Sequence, residues 1–308
     1  MSSDESVAYR PVVLVGAGRW GSAHARQWSR ICDRAPLVII DRDVERSKSL
    51  AQVYQAQSCS TMSEAMVKLK AFPQPLICIA TPIDSLNEVA HEASRWSDLM
   101  LIEKPGVSGS LLAKGAVGYI ERFNPISAQL NTAIRYAISA DSLIQVHTWR
   151  LSQYAPTTPH LLLNDLFCHD LDLLLHLIED NGYQVDHHIN SRAQLDAEGH
   201  LKVKILLACS HTESSRRSHQ DLQTSRPIHI CLQSIIGRGE RRRSWCINQN
   251  QMYHLTHQEH VANPLFDQCN AVYHWSLSPQ RALPHPLCSI QKSIERVQLL
   301  HHLATLMF

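Results

Sequence analysis

The sequence of 308 residues predicts an α/β protein: a doubly wound parallel sheet first, then an α+β part with a mainly antiparallel sheet. Three observations predict it. Short, continuously apolar runs alternate with helical patterns over about the first 100 residues, as buried parallel strands and their helices do. After about residue 119 the texture changes to longer runs that alternate apolar and polar residues. Between the first apolar run and the first helical pattern stands a cluster of glycines.

Residues 11–15 are an apolar strand, and residues 19–31 have helical spacing. Residues 37–40 are a second strand, ended by Asp41, and 43–55 a helix with an acidic start. Thr61 followed by Glu64 is a capping-box pattern opening a helix over 61–69. Residues 76–80 form a third strand, 84–94 a helix and 99–102 a fourth strand, ended by Glu103-Lys104-Pro105. Beyond the change in texture, 144–151 alternate as a strand does, and 165–178 are a strongly apolar helix. The stretch 185–253 is strand-like, clearest at 203–209, 228–236 and 244–248, and 288–308 return to a helical period. These limits predict a dinucleotide-binding domain over 1–122 and a substrate and oligomerisation domain over 123–308.

Lys plus Arg number 29 against 28 Asp plus Glu, so the net charge of +1 gives no reason to expect a nucleic-acid or membrane partner. No apolar run is long enough to span a bilayer. The polar start of the chain and nine cysteines never closer than 15 residues point to reduced thiols in the cytosol, with no zinc ribbon or CxxC redox pair. The run RGERRR (238–243) reads as a solvated turn.

The glycine cluster is Gly16-Ala17-Gly18-Arg19-Trp20-Gly21, a G-x-G-x-x-G between strand and helix. Gly16 permits the tight turn, Gly18 lets the backbone approach a pyrophosphate, and Gly21 lets helix and strand pack closely. Asp41 follows Gly21 by 20 residues at the end of the next strand, the place of a carboxylate that binds the adenosine ribose. Such a carboxylate repels a 2′-phosphate, so NAD is expected, with NADP as the alternative because Arg42 follows directly. A Rossmann domain is thereby predicted.

Lys104 stands just past a strand end, the ligand edge of an open α/β sheet. On the later helix Asp165, His169, Asp172 and His176 share one side among Leu, Phe and Ile. A titratable stripe on a buried helix is costly unless it is paired or lines a site. Asp165 and His169, four apart, suit a base and its orienting group. A satisfied core network is the bland alternative. A metal site lacks a third ligand, so none is expected.

Together VGAGRWG (15–21), IDRD (40–43), CIATP (78–82), IEKPG (102–106), GYIERFNP (118–125) and NDLFCHDLDLLLHL (164–177) make the chain resemble the Gfo/Idh/MocA oxidoreductases, of the glucose–fructose oxidoreductase and inositol dehydrogenase type. Weaker similarity continues from SSRRS (214–218) to the end. The resemblance implies Lys104, Asp165 and His169 as the catalytic set. It implies Arg19 and Trp20, Arg42, Ala80-Thr81-Pro82 and Glu103-Lys104 as cofactor-binding residues beside the glycines and Asp41. GYIERFNP and the NDLxxHDLDL form are most similar to the nucleotide-sugar 3-dehydrogenase branch. The expected reaction is hydride transfer between a nicotinamide cofactor and a secondary alcohol or ketone of a sugar or nucleotide sugar. Imine or C=C reduction, or a dinucleotide-dependent sensor without turnover, are the alternatives. A homodimer or homotetramer is expected.

The chain also departs from the family's pattern. Only 15 residues separate Pro105 from Glu121, which implies a shortened helix. Leu86 stands where the family often has His. Phe167 holds a position usually occupied by Gly, and Leu161, Leu162 and Leu163 precede Asp165 where small residues are usual.

Overall fold

Runs of Val, Ile and Leu with no polar residue can lie only where both faces of a strand are covered. The structure is a computed structural model that describes residues 9–32, 34–140, 143–212, 227–249, 251–254 and 263–306. In it these runs are the centre of a sheet. The elements come in the expected alternation: β1 (Val12–Val15), α1 (Arg19–Ile31), β2 (Leu37–Ile40), α2 (Val44–Val53), β3 (Gln57–Cys59), α3 (Met62–Lys68), β4 (Leu76–Ile79), α4 (Ile83–Ala93), β5 (Leu99–Ile102) and β6 (Lys114–Val117). Every residue of β2, β4 and β5 is buried. Caps fix the helix starts. Asp43 accepts from the Arg46 N–H at α2, and Thr61 accepts from the Glu64 N–H at α3. The Glu64 carboxylate reaches back to the Ser60 N–H, one residue before the N-cap.

From Ile120 the chain makes a 3-10 turn (Ile120–Phe123) and continues as α5 (Ser127–Ala140), β7 (Leu143–Ser152), a single turn α6 (Pro159–Leu161), a π-helical segment (Leu162–Phe167) and α7 (Cys168–Asp180). Then come β8 (Tyr183–Leu195), β9 (Leu201–His211), β10 (Ile228–Arg238), β11 (Arg242–Ile247) and β12 (Gln251–His254). The second sheet has the order β12-β11-β7-β10-β9-β8. Only β7 and β10 pair in parallel; the other neighbours are antiparallel. Strand β9 alternates buried and outward residues, the period-two signature of a sheet with one covered face. The similarity at SSRRS (214–218) lies outside the described residues.

The remaining elements are α8 (Pro264–Ser276), β13 (Cys288–Ser289) and α9 (Ile290–Thr305). Strand β13 pairs antiparallel with β6, which completes a first sheet of order β13-β6-β5-β4-β1-β2-β3, otherwise parallel. Contacts divide the chain into Met1–Ile120 with Pro264–Val297, and Glu121–Asn263 with Gln298–Phe308. By these contacts α8 and β13 group with the first sheet, whereas the sequence limits of 1–122 and 123–308 placed them after it. The physical reason lies between β5 and β6. A parallel connection is usually a helix that covers the sheet. Here residues 103–113 cross without one, turning at Gly106 and Gly109 with φ of 98° and 82°. Helix α8 packs instead against β5, β6 and α1. The shortened helix expected after Pro105 is therefore absent altogether. All nine cysteines are thiols rather than half-cystines. Among the described residues no helix is long and apolar enough to cross a membrane.

Candidate active site

In the first unit each glycine of the loop has a different reason to be glycine. Gly16 has φ +106°, and a Cβ there would come within 2.5 Å of the Ala80 carbonyl oxygen. At Gly21 a Cβ would lie 1.9 Å from the Gly16 carbonyl oxygen, so only glycine lets α1 start this close to the loop. At Gly18 a Cβ would meet nothing within 4 Å. The space above the loop is open, and Gly18 keeps it so. Gly18 is also the N-cap of α1 and supplies no side-chain acceptor, which leaves first-turn N–H groups available to an anion.

Asp41 ends β2 beside this loop. One carboxylate oxygen accepts from the Ala17 N–H at 2.7 Å and the other from the Asp43 N–H at 2.9 Å. A carboxylate has about four lone-pair sites, so acceptor capacity remains for ribose hydroxyls. Arg19 and Arg42 are exposed, and Trp20 is half-buried. Ala80 is buried at the end of β4, and Pro82 is the N-cap of α4. Between them the Thr81 hydroxyl is buried with no hydrogen-bond partner among the described residues. An open phosphate position, an uncapped helix start, a carboxylate at the next strand end and an orphaned hydroxyl all fit a dinucleotide.

Lys104 follows β5 in the same unit and is buried, 6% exposed. Its neighbours are firmly held. Glu103 donates its N–H to the Ile79 carbonyl, and the Tyr119 hydroxyl donates to the Pro105 carbonyl at 2.8 Å. The Glu103 carboxylate lies 2.7 Å from Nε2 of His24, a residue of α1 with no solvent exposure. Nδ1 of His24 lies 3.5 Å from the sulfurs of both Cys78 and Cys269. Burial opposes a charge on His24, but the two sulfurs outweigh it, and the pKa of His24 is raised well above the ordinary imidazole range. Sequence reasoning missed this cluster. A signal existed: Gly21, His24, Ala25 and Trp28 recur at helical spacing on the buried face of α1, and a histidine there needs a partner.

Asp165 and His169 stand in the second unit. Asp165 is half-buried in the π-helical segment, and His169 is buried in the first turn of α7. A regular α-helix was expected across both. The wider π turn, a feature frequent at functional sites, sets Asp165 in a different register. Asp172 and His176 serve another task. Arg122 holds both oxygens of Asp172, at 2.6 and 2.7 Å, and its guanidinium lies 3.5 Å from His176. Beside them Arg150 binds Asp170 at 2.7 and 3.0 Å and Glu121 at 3.0 Å. Asp170, on α7, also accepts from the Thr148 hydroxyl at 3.1 Å, and all of these charges are buried. Arg243 joins Glu121 at 3.3 Å, and Arg242 lies 4.7 Å over the Trp149 ring. The RGERRR run is thus only partly a solvated turn: its last two arginines are structural. Sequence could not pair these residues, because Glu121 meets partners 29 and 122 positions away. Leu86, Leu162, Leu163 and Phe167, four of the departures from the family's pattern, are all buried core residues.

Residues 10–113 match the model of an oxidoreductase family with an NAD-binding Rossmann fold, GFO_IDH_MocA. Over 179 residues the chain is 25% identical to an inositol 2-dehydrogenase of Renibacterium salmoninarum, covering 53% of each sequence. The chain thus spans about half the length of this curated relative. Among solved structures, a UDP-N-acetylglucosamine 3-dehydrogenase of Acidithiobacillus ferrooxidans aligns with a TM-score of 0.69 at 16% identity, over 97% of this chain and 98% of that one. A myo-inositol dehydrogenase of Lactobacillus casei, in complex with NAD(H) and myo-inositol, aligns with a TM-score of 0.68 at 10% identity, over 96% and 94%. With its glycine loop and its Asp41, the stretch of residues 10–113 matches the NAD-binding Rossmann part of the Gfo/Idh/MocA oxidoreductases, and the two-sheet fold of the chain is similar to that of the solved dehydrogenases.

Proposed function

We propose that this protein is an NAD-dependent dehydrogenase acting on a secondary alcohol of a sugar, cyclitol or nucleotide sugar, with Lys104, Asp165 and His169 as its catalytic set. The observation that carries the reading is the dinucleotide loop, in which Gly16 and Gly21 are sterically required and Gly18 keeps a phosphate position open. The relatives, named for inositol and for a UDP-sugar, support the substrate class. When bound, NAD supplies the hydride acceptor. The chain's own residues do the rest. Backbone N–H groups at the start of α1 take the pyrophosphate, and Asp41 takes the adenosine ribose, which favours NAD over NADP. Nitrogen of the His169 imidazole accepts the hydroxyl proton of the substrate, Asp165 holds that ring in the productive tautomer, and the Lys104 ammonium donates to the reacting oxygen. Reduced cysteines are in keeping with a cytosolic protein, and a homodimer or homotetramer completes the reading.

The test is NADH absorbance on mixing the protein with NAD⁺ and, in turn, myo-inositol, UDP-N-acetylglucosamine and other UDP-sugars. Turnover is expected with at least one. His169→Asn should keep NAD binding and cut kcat by about 10²–10⁴-fold, the usual contribution of a positioned base. Lys104→Met should also impair turnover. Tight NAD binding with no turnover on the whole panel would favour a sensor, and full activity in folded His169→Asn would refute the catalytic assignment.

A further inference from the structure

We propose that His24 is a positioning residue for Lys104, acting through the carboxylate of Glu103. The inference rests on the reading that the Lys104 ammonium meets the substrate oxygen, and adds a residue which that reading does not contain.

The chemistry of His24 fixes its proton. A carboxylate accepts only, so the Nε2 that lies 2.7 Å from Glu103 carries the hydrogen and donates it. On the other side of the ring, Nδ1 faces the thiols of Cys78 and Cys269, each 3.5 Å away. Contacts at both nitrogens leave the imidazole no second orientation. Glu103 passes the constraint on. Its other oxygen accepts the backbone N–H of Lys104 at 3.3 Å. Its remaining side is closed by Gly118, where a Cβ would stand 3.0 Å from the carboxylate oxygen. One buried carboxylate therefore ties α1 to the peptide of Lys104.

Helix α1 has a dinucleotide loop at its start and His24 one turn in, so one rigid element sets both the cofactor's phosphates and the lysine. Without the Nε2 donor, Glu103 is a buried carboxylate short of a partner, and it must turn to find another. That turn loosens its bond to the Lys104 N–H. Misplacement of a reacting group by about 1 Å costs about 10²-fold in rate.

Two substitutions separate positioning from mere packing. Glutamine places an N–H where Nε2 stands in the wild type. Asparagine is too short and offers polar atoms only near the Nδ1 position. His24→Gln should keep most of the wild-type kcat, and His24→Asn should lose about 10²-fold, with NAD affinity and KM little changed in both. A second readout needs no substrate: labelling of Lys104 by acetic anhydride at graded pH, followed by peptide mass spectrometry with NAD bound. The labelling profile of His24→Gln should follow the wild type, and that of His24→Asn should depart from it. Equal kcat and equal labelling in the two variants would overturn the proposal, as would losses in both that merely follow melting temperature. If a variant is too unstable for kinetics, labelling of the folded protein in the cold decides. Lys104→Met is run alongside. Should it retain full kcat, the catalytic role of Lys104 fails, while the labelling contrast still reports whether His24 positions that residue.

Discussion

The two units bury their charged residues in opposite ways. In the first unit the buried charged residues include His24, Glu103, Lys104 and Arg296. His24 and Glu103 form a buried pair, and the strands beside them are Val, Ile, Leu, Met and Cys. Under the second sheet Arg122 and Arg150 are interleaved with Glu121, Asp170 and Asp172, all at most 5% exposed, and Arg243 joins at the edge. Apart from the His24–Glu103 pair, whose members are 79 residues apart, the first arrangement is specified by local patterns: apolar runs, caps and three glycines. The second depends on partners 20 to 122 residues apart. Apolar cores tolerate exchange of one aliphatic residue for another. Ion pairs without water do not tolerate losing one member, because the survivor keeps its charge and loses its compensation. The difference teaches where this molecule can be perturbed gently and where it cannot.

The comparison is broken most directly at Arg150. Asp170 and Glu121 together hold its guanidinium firmly protonated against the opposing effect of burial. Arg150→Met leaves two buried carboxylates facing each other and should cost about 3–5 kcal/mol. Urea unfolding measures it. A loss below about 1 kcal/mol, the scale of a surface pair, would mean that the network is far better hydrated than its burial implies.

A smaller, local effect is expected in the glycine loop. Gly21→Ala forces a methyl into the Gly16 carbonyl, so melting temperature and NAD affinity should fall together. Gly18→Val points into open space, so the melting temperature should hold while calorimetry shows dinucleotide binding lost. Identical behaviour of the two variants would erase the distinction between the glycine that packs and the glycine that makes room.

The smallest effect is expected at Thr61. Its hydroxyl accepts the Glu64 N–H at the start of α3, and Thr61→Ala should cost about 1 kcal/mol, typical of a lost N-cap. Thermal unfolding checks it. A cost matching that of Arg150→Met would show that the first unit is no more forgiving than the second.

Legibility in the sequence followed the same division. Helix α1 and strands β2 and β5 begin and end at the expected residues, because apolar runs and helical periods are local signals. Strands β3 and β6 escaped notice. The first has no apolar run, and the second contains Gly115, where a Cβ would come within 1.8 Å of the Met100 carbonyl. Helices α5 and α8 were also missed, their apolar periodicity being weak beside that of α1. In the site, Asp41 stands beside the glycine loop and accepts from the Ala17 N–H. The bonds of His24 and Asp170 did not emerge from the sequence, since a buried charge declares itself only once its partner is known.

By itself, then, the sequence determined the alternation of strand and helix, the dinucleotide loop and the strand end at Lys104. These follow from steric and hydrophobic constraints within a few residues of chain. Only the tertiary structure decided that α8 and β13 return to the first sheet, that Asp165 stands in a π turn, that Asp172 and His176 are bound up with Arg122, and that His24 reaches Glu103. Each of those depends on a partner far away in the chain, and the free energy of pairing buried polar groups is set by distance and desolvation in three dimensions, which no spacing along the sequence encodes.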